Sequence, residues 1–548
     1  MAKATRMTPE LVENYRRKGY WTSNTLAGFW DRNARAYPNQ EALVDSSRRL
    51  TWAQGNQLAN RLALGLLEMG FKRDDLLAVQ LPNCVELYLL RLACEKAGLL
   101  CLQTLRSLRH REMEHSLGLG EASGVVIPWR FRDFDHWEMI QEIKPHLPAL
   151  RHILVTGGEV PPGAISVETL MQNPIETKYP PDYIKKLRCT PGEFSLVGHT
   201  TGTTGMPKLV ELTIGGVMYI ARWHNDDIGL TSRDVLGIIG PAAHGPNIPA
   251  YYGAAQRAAK IVMLETFDAE AALRLIEKER VTVTGIVPAI LAMMLEHPGL
   301  DKYNLSSLRV IFCAGSSLPY TVAETAERKI GAKIIQLYGA VDTGGITKGF
   351  LKDPADVRWG TVGKPYPGNE IKLVDEAGAE VGHGEVGEVM TRGPTNDVAY
   401  YRDPGANALA WTVDGWRCPG DLGRWDSKGN LMIVGRNKDV IIRGGQNIYP
   451  IEIESLLQAH PCVAGVAVVR MPDPVMGEKA CAFVVPQSGC SFTFEDMISC
   501  LKAHKIAAFK LPERLEICQA LPLAGEQKMD KKALERVITE KLRDEGAG

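Results

Sequence analysis

The amino-acid sequence predicts an α/β fold with a large N-terminal domain and a smaller C-terminal domain of mixed helices and strands. Between residues 50 and 320, short β-branched apolar runs alternate with helical patterns, which predicts parallel strands joined by crossover helices. From about Glu370 the chain changes to short strands separated by Gly-rich turns, which predicts a β subdomain over about residues 370–437. At 548 residues the chain is long enough for several domains of about 100–200 residues each.

The elements of the N-terminal part are predicted from the length and spacing of the apolar runs. In chain order we expect a strand at Leu76–Gln80, a helix at Val85–Ala97, a strand at Ser195–His199, a helix at Thr213–Trp223, a strand at Val281–Val287, a helix from Pro288 through Glu296, a strand at Leu308–Cys313, a helix at Tyr320–Lys329 and a strand at Ile334–Leu337. This order predicts parallel sheets with helices on both faces. Ligands bind at the carboxyl ends of strands in such sheets, where loops rich in Gly, Ser and Thr follow.

The C-terminal part is predicted to be a compact unit. We expect a helix at Ile451–Ala459, strands at Ala464–Val469 and Ala480–Val485, and a last helix at Asp530–Leu542 with charged side chains on one face. The boundary is placed near Lys438, which divides the chain into residues 1–437 and 438–548.

Composition excludes several classes of protein. Lys and Arg number 63 against 64 Asp and Glu, and this balance argues against general nucleic-acid binding, which normally needs a basic surface. The N-terminal residues contain no apolar core of a secretory signal, and the apolar stretch around Leu76–Leu102 carries too many charges to span a membrane. The 11 cysteines are scattered without a CxxC pair, which favours reduced thiols and a cytoplasmic location.

The strongest local motif runs from His199 to Lys208 with the sequence HTTGTTGMPK. Its glycines permit backbone conformations closed to other residues, and its threonine hydroxyls and free N–H groups can surround phosphate oxygens while the lysine adds a positive charge. A Walker P-loop needs Ser or Thr after the lysine, but here Leu209 follows. The motif therefore predicts a phosphate-binding loop outside the P-loop class.

Further motifs carry residues suited to a nucleotide. In Tyr338–Asp342 (YGAVD), the ring can stack on a base and the carboxylate can hold Mg²⁺. Asp421, in GWRCPGD, can accept both hydroxyls of a ribose, and Arg436 can add donors. The pair Gly444–Gly445 allows close approach to the backbone. Taken singly, the Tyr338–Asp342 motif and Lys528 in GEQKMDKK are better explained as an edge turn and a solvated lysine.

Read together and in this order, the motifs resemble those of the adenylate-forming superfamily over nearly the whole chain. The phosphate loop of that superfamily runs roughly [ST]SG[ST]TGxPKG, and TTGTTGMPK matches it with Leu209 in place of the last glycine. The segments YRRKGYW, GPAAH, RGGQNI and AAFKLPERLEI are similar to those of the 2,3-dihydroxybenzoate–AMP ligase and the cyclohexanecarboxylate or medium-chain acyl-CoA ligase branch. The resemblance implies two parallel-rich sheets in the large domain and a mobile small domain.

The resemblance also implies a role for each matching residue. The ATP-binding residues would be Thr200, Thr201, Gly202, Thr203, Thr204, Lys208, Gly315, Ser316, Tyr338, Gly339, Asp421 and Arg436. The catalytic residues would be Lys528, Thr204 and His244, and the metal ligands Thr204 and Asp342. The acyl pocket would include His244, Gly245, Asn247 and Ala340, with Lys438 as the hinge and Gly444 and Gly445 at the thiol tunnel.

The implied reaction joins a carboxylic acid to a thiol. An aryl, alicyclic or medium alkyl acid attacks ATP to give an acyl-adenylate and pyrophosphate, and a thiol then releases AMP. ATP and Mg²⁺ are the expected cofactors and CoA the favoured co-substrate of a monomer or homodimer. A stand-alone aryl-acid–AMP ligase that loads a separate phosphopantetheine carrier protein in siderophore or natural-product biosynthesis remains open. So does a non-adenylating relative that only transfers thioesters, whereas a luciferase-like activity has no positive support.

Two departures from the family pattern bear on the chemistry. Asp342 replaces the usual Glu, which shortens the metal ligand by one methylene and predicts slower adenylation. Gly245 stands where ligases of 2-hydroxylated benzoates usually carry Asn. Because glycine removes that donor and enlarges the pocket, we expect that 2-hydroxylated benzoates are not the preferred substrates.

Overall fold

A computed structural model describes residues 4–157, 160–180, 182–200, 206–242, 247–396, 398–444, 446–504, 506–524 and 528–546. In chain order, its strands are β1 Glu41–Val44, β2 Arg49–Thr51, β3 Leu76–Val79, β4 Leu100–Gln103, β5 Gly124–Pro128, β6 Arg130–Phe131, β7 Phe134–Asp135, β8 His152–Thr156, β9 Ile165–Ser166, β10 Phe194–His199, β11 Leu209–Thr213, β12 Val235–Ile238, β13 Lys260–Met263, β14 Val283–Ile286, β15 Val310–Cys313, β16 Lys333–Ala340, β17 Gly344–Lys348, β18 Lys364–Pro365, β19 Glu370–Val374, β20 Gly387–Arg392, β21 Ala399–Tyr400, β22 Asp421–Trp425, β23 Leu431–Arg436, β24 Ile441–Arg443, β25 Gln446–Ile448, β26 Val463–Asp473, β27 Gly477–Pro486, β28 Arg514–Ile517, β29 Leu523–Ala524 and β30 Lys528–Met529.

The α-helices, in the same order, are α1 Pro9–Arg17, α2 Leu26–Ala36, α3 Trp52–Glu68, α4 Val85–Ala97, α5 His110–Gly120, α6 His136–Ile143, α7 Val167–Gln172, α8 Ile214–Asp227, α9 Ala254–Arg257, α10 Ala269–Glu279, α11 Pro288–Leu295, α12 Tyr320–Ile330, α13 Ala355–Gly360, α14 Pro404–Ala410, α15 Pro450–Gln458, α16 Phe494–Ala503 and α17 Lys531–Gly546. Across the described ranges, none of these helices combines the length and the apolar character that crossing a membrane requires.

Two large sheets build the N-terminal part, as expected for an α/β fold. The first has nine strands in the order β18-β17-β16-β15-β14-β12-β13-β1-β2, and the second has eight in the order β21-β11-β10-β4-β3-β5-β8-β9. Their central strands are parallel, whereas antiparallel pairs lie toward the edges. Every residue of α4 is buried, and side chains from α4 and from both sheets share one hydrophobic cluster. The predicted parallel-rich architecture is confirmed.

One element differs from the sequence prediction. We expected the helix at Thr213 to follow the phosphate loop directly, but the strand β11 comes between them. Its residues pair antiparallel with β10, the strand that precedes the loop, in the register His199↔Leu209. The Thr213 hydroxyl then caps α8 by accepting a hydrogen bond from the Gly216 N–H at 3.3 Å. The run from Leu209 passes directly into α8 at Ile214, so no turn residues mark the end of the strand in the sequence.

Two smaller sheets follow the large ones. The strands β19, β20, β22 and β23 form a four-stranded antiparallel sheet that corresponds to the predicted β subdomain. A separate sheet in the order β25-β24-β27-β26, with β28 beside β27, forms the smaller C-terminal domain. Helices α15 and α16 cover one face of this sheet and α17 covers the other, each through its own hydrophobic cluster.

Buried charges tie the helices of the large domain together. The ammonium group of Lys96, which is fully buried in α4, contacts an oxygen of Asp31, Asn56 and Asn60 at 2.8 Å each. Burial raises the pKa of Asp31, but Lys96 and Arg188 outweigh this effect and bring that pKa to about 2. Hydrogen bonds from Arg49, together with Lys260, likewise lower the pKa of a second acid, Glu279, to about 2.

We predict that the large domain loses stability as the pH falls from about 4 to about 2. Both carboxylates have folded-state pKa values below their unfolded values of about 4, so their contribution is complete above that pH and disappears as they take up protons. Urea unfolding at pH 5, 3 and 2 measures the loss. The variant Asp31→Asn should show a smaller loss over this interval, and an equal loss in both proteins would contradict the assignment to Asp31.

Candidate functional site

Two hydrogen bonds between Thr200 and Lys208 join the two ends of the predicted phosphate loop. The N–H of Thr200 donates to the carbonyl of Lys208 at 2.9 Å, and the N–H of Lys208 donates to the Thr200 hydroxyl at 3.1 Å. The Lys208 ammonium lies 4.6 Å from the centroid of the Tyr400 ring, in a cation–π contact. The predicted phosphate ligands at the turn lie outside the described residues: Thr201, Gly202, Thr203 and Thr204.

The residues predicted to surround adenine follow β15 and occupy the end of β16. Gly315 has a φ of 97°, and it lies exposed beside Ser316 at the carboxyl end of β15. Gly339 has a φ of 157°, and a Cβ there would lie 2.2 Å from the carbonyl oxygen of Gly344. Only glycine therefore fits where β16 bends against β17.

Tyr338 and Arg436 converge on the carboxylate of Asp421. The Tyr338 hydroxyl donates to Asp421 Oδ2 at 2.7 Å, and Arg436 Nε donates to Oδ1 at 3.0 Å. Asp421 and Arg436 face each other in the register of β22 and β23, which explains why residues so far apart in sequence meet. Burial, followed by the nearby Asp421 carboxylate, raises the pKa of Tyr338, so the phenol stays a proton donor. The tertiary structure thus brings three predicted ATP-binding residues into contact.

Asp342 is held by two residues that sequence reasoning did not assign. The Tyr400 hydroxyl donates to Asp342 Oδ2 at 2.6 Å, and Arg417 donates to the same oxygen at 2.9 Å. Arg417 Nε also donates to the backbone carbonyl of Asp342 at 3.1 Å. The sequence signal for Arg417 is its place in the GWRCPGD motif, four residues before Asp421.

The residues around Asp342 fit a magnesium ion, which the family resemblance implies. Asp342 Oδ2 accepts both hydrogen bonds, and Oδ1 accepts none from the described residues. Within the part of the chain that the structure describes, no three His, Cys, Asp or Glu side chains group as a metal site. Mg²⁺ is commonly bound by one or two carboxylates plus the phosphates of a nucleotide, so one available carboxylate oxygen suits it.

The predicted acyl-pocket residues are described in part. His244 and Gly245 lie outside the described residues. Asn247 is buried, and its side-chain N–H donates to the Pro241 carbonyl at 2.8 Å, while its Oδ1 has no hydrogen-bond partner among the described residues. Ala340 is exposed at the end of β16, and its N–H donates to the Thr343 hydroxyl at 2.7 Å.

The side chain of His224, on α8, is buried between a tyrosine and a phenylalanine. His224 Nε2 is 2.7 Å from the Tyr366 hydroxyl, and its ring stacks on Phe312 with centroids 4.8 Å apart. Burial, and then the charge of Lys348, keep the pKa of His224 well below its usual value, so the ring is neutral. Because the pKa of Tyr366 is raised by burial, the phenol is the donor to Nε2.

The predicted hinge and thiol-tunnel residues lie at the start of the C-terminal domain. Lys438 lies in a short 3₁₀ turn, Asn437–Asp439, and its carbonyl accepts a hydrogen bond from Arg470 of β26. The N–H of Gly444 donates to the Met476 carbonyl at 2.9 Å. Gly445 lies outside the described residues, and Lys528 is described only through its backbone, which pairs with Ala524.

Comparison with protein families matches both parts of the chain. Residues 30–401 match the family described as AMP-binding enzyme, and residues 452–528 match the AMP-binding enzyme C-terminal domain. The first match covers both large sheets and the strands β19 and β20 of the β subdomain, and the second covers β26, β27 and β28 of the small C-terminal sheet.

Individual proteins are similar over almost the whole length. The chain is 35% identical to 2-hydroxy-7-methoxy-5-methyl-1-naphthoate–CoA ligase of Streptomyces carzinostaticus, with 96% of this chain and 95% of the relative aligned. It is 33% identical to a salicylyl-CoA synthase / salicylate adenylyltransferase of a Streptomyces species, with 96% of each chain aligned. The solved apo structure of MbtA from Mycobacterium smegmatis is 30% identical and superposes with a TM-score of 0.72 over 98% of this chain and 99% of that one.

Proposed function

Because the chain belongs to the AMP-binding enzyme family, we propose that it activates an aryl acid as an acyl-adenylate and transfers the acyl group to CoA. The chain is an AMP-forming acid–thiol ligase that uses ATP, Mg²⁺ and CoA. The observation that supports the nucleotide half of the proposal is the convergence of Tyr338 and Arg436 on Asp421. Asp421 is the first residue of β22, and one donor holds each of its carboxylate oxygens. The hydroxyls of a ribose can donate to the same two oxygens.

The first half-reaction needs positive charge and oriented donors at the α-phosphate. The acid carboxylate attacks the α-phosphorus, the bond to pyrophosphate breaks, and negative charge accumulates on the phosphoryl oxygens. Lys208 and the loop from Thr200 to Thr204 bind the phosphates, and Lys528 bridges the acid carboxylate and the α-phosphate. Tyr338, Gly339, Gly315 and Ser316 enclose adenine, while Asp421 and Arg436 hold the ribose. Asp342 and Thr204 would hold Mg²⁺, which would neutralise part of the phosphate charge.

The second half-reaction needs a different environment at the same carbonyl carbon. A thiol attacks the mixed anhydride, and AMP leaves with the electron pair of the broken C–O bond. We assign residues 1–437 to the domain that holds ATP and the acid, and residues 438–548 to a mobile domain that turns about Lys438. Rotation removes Lys528 and brings the Gly444–Gly445 segment to line the thiol tunnel. Support for this division comes from the separate sheets on either side of Lys438.

Aryl acids are favoured as substrates because both Streptomyces relatives are named for them. His244, Gly245, Asn247 and Ala340 are assigned to the acyl pocket. CoA is favoured as the acceptor for the same reason, and a carrier protein is the alternative outcome of the test below. The cytoplasmic location and the monomeric or dimeric state expected from the sequence stay predictions.

One incubation tests the proposal. The full chain is mixed with Mg-ATP, CoA and a panel of aryl, alicyclic and medium alkyl acids, and the products are read by mass spectrometry. An aryl-CoA thioester with AMP is the expected result. An acyl-adenylate that accumulates untouched by CoA would redirect the second step to a carrier protein. Intact ATP with every acid, combined with thioester formation from preformed acyl-adenylate, would replace the proposal by a thioester-transfer function alone.

The two half-reactions are expected to separate in the variant Lys528→Ala. Loss of a positive charge at the reacting phosphate should slow adenylate formation by about 100-fold or more. Thioester formation from preformed acyl-adenylate should change by less than about threefold, since Lys528 has then left the site. Lys532→Ala, which removes an exposed lysine of α17, is the matched control. Equal slowing of both steps would exclude the domain-alternation assignment.

Substrate preference tests the role of Gly245. We predict that kcat/KM for salicylate does not exceed that for benzoate, because glycine offers no side-chain donor to the 2-hydroxyl group. The variant Gly245→Asn should raise the salicylate-to-benzoate ratio about tenfold, the typical value of one added hydrogen bond to substrate. A tenfold preference of the unmodified protein for salicylate would show that another residue reads the hydroxyl group.

A further inference from the structure

A buried arginine, Arg417, pairs with Asp342. Only 8% of the Arg417 side chain is exposed, and its guanidinium contacts both the carboxylate and the backbone carbonyl of Asp342. The Arg417 nitrogen that donates to the Asp342 carboxylate, Nη2, also lies 3.0 Å from the Tyr400 hydroxyl. A guanidinium is always cationic in proteins, so Arg417 supplies Asp342 with a counter-charge whether or not a metal ion is bound.

Tyr400 links this ion pair to the phosphate loop. Its hydroxyl donates to the oxygen that Arg417 also contacts, and its ring lies under the Lys208 ammonium. Tyr400 is fixed in turn because β21 pairs with β11, the strand that follows the loop, in the register Val210↔Tyr400. Lys208, Tyr400, Asp342 and Arg417 therefore form one continuous polar cluster with two cations and one carboxylate.

The charges of this cluster determine whether Asp342 repels the phosphates of a bound triphosphate. An unpaired carboxylate at this position would repel the phosphates unless a metal ion lay between them. Arg417 cancels that charge in the absence of metal, and it also withdraws one carboxylate oxygen from metal binding. Asp342 Oδ1 remains the oxygen that a metal can use, so the arginine and the metal share the carboxylate.

We propose that Arg417 neutralises the charge of Asp342 and thereby lowers the dependence of nucleotide binding on magnesium. Tyr400 helps by holding Asp342 Oδ2, the oxygen that Arg417 also contacts. This inference rests on the proposed ATP-binding function of the site. Arg417 is a positioning residue, since it acts through Asp342. It also donates to the carbonyls of Ala410 and Cys418 and stacks on Trp411, so a purely structural role is the alternative that the test must separate.

Binding of α,β-methylene-ATP, which adenylate formation cannot cleave, is measured by titration calorimetry with Mg²⁺ and with EDTA. The quantity compared is the ratio of Kd in EDTA to Kd in Mg²⁺. We expect Arg417→Gln to raise this ratio at least tenfold, because the bare carboxylate then needs the metal. Arg417→Lys, which keeps the charge, should stay within about threefold of the unmodified protein. Arg392→Gln, which removes an arginine paired with Glu370 at the surface, should leave the ratio unchanged.

Three other outcomes are distinguished. If Arg417→Gln weakens binding equally in Mg²⁺ and in EDTA, the arginine only supports the fold. If Arg417→Gln does not fold, Tyr400→Phe decides, because it keeps the ring under Lys208 and removes one hydrogen bond to Asp342; a ratio about threefold higher supports the proposal and an unchanged ratio overturns it. Failure of the unmodified protein to bind the analogue under either condition would instead refute the proposed function.

Discussion

Replacement of Asp421 by alanine is expected to raise the KM for ATP by about 100-fold or more. The carboxylate is assigned to accept two ribose hydroxyls, and a hydrogen bond to a charged group contributes about 1.5–3 kcal/mol, so losing both costs at least about 3 kcal/mol. The variant also leaves the Tyr338 hydroxyl and Arg436 without their shared partner. Initial rates of pyrophosphate release over a range of ATP concentrations measure the effect.

Two comparisons make the Asp421 result specific. Asp414→Asn changes an exposed carboxylate of the same subdomain, which accepts a hydrogen bond from Thr412, and should leave the KM for ATP unchanged. The KM for the acid should rise far less than the KM for ATP in Asp421→Ala, since the ribose site and the acyl pocket are assigned to different residues. An unchanged KM for ATP would remove Asp421 from the nucleotide site.

The largest effect on stability is expected from Lys348→Met. Lys348 is fully buried in β17, and its ammonium contacts Asp227 Oδ2 of α8 at 2.7 Å. Removing the cation leaves a buried carboxylate to which, among the described residues, the Leu351 N–H still donates. Breaking one side of a buried ion pair typically costs about 3–5 kcal/mol, and we expect a loss of that size. Urea unfolding of the large domain, followed by tryptophan fluorescence, gives the free energy of unfolding.

The double variant Lys348→Met with Asp227→Asn tests the physical cause of that loss. Because the penalty comes mainly from the unpaired charge, removing the charge on Asp227 as well should recover a large part of the stability. Lys352→Met removes an exposed lysine nearby and should change stability by less than about 0.5 kcal/mol. A double variant no more stable than Lys348→Met would attribute the loss to side-chain packing.

Asp342 shows where the structure altered the interpretation of a motif. The sequence assigned this residue to Mg²⁺ and, because it is shorter than Glu, predicted slower adenylation. In the structure, Arg417 and Tyr400 both donate to Oδ2 of Asp342, and none of the described residues donates to Oδ1. The metal assignment stays a prediction, and the length of the side chain is no longer the only feature that bears on it.

The sequence by itself determined the fold class and the position of the phosphate loop. Alternation of apolar runs and helical patterns is a local property, and Val85–Ala97 was predicted with the bounds that α4 has. The loop motif was recognisable because its threonines, glycines and lysine are contiguous. The strand β11, by contrast, was missed because no turn residues separate it from α8 and because its pairing with β10 is a tertiary contact.

Only the tertiary structure decided which distant side chains meet. Tyr338 and Asp421 are 83 positions apart, Asp342 and Arg417 are 75 apart, and Asp227 and Lys348 are 121 apart. These pairs depend on the order of strands within the sheets and on how the neighbouring helices and loops pack against them, and no local period encodes either property. Burial then determines how much each pair contributes to stability, because a charge removed from water is costly unless a partner, however distant in sequence, lies beside it.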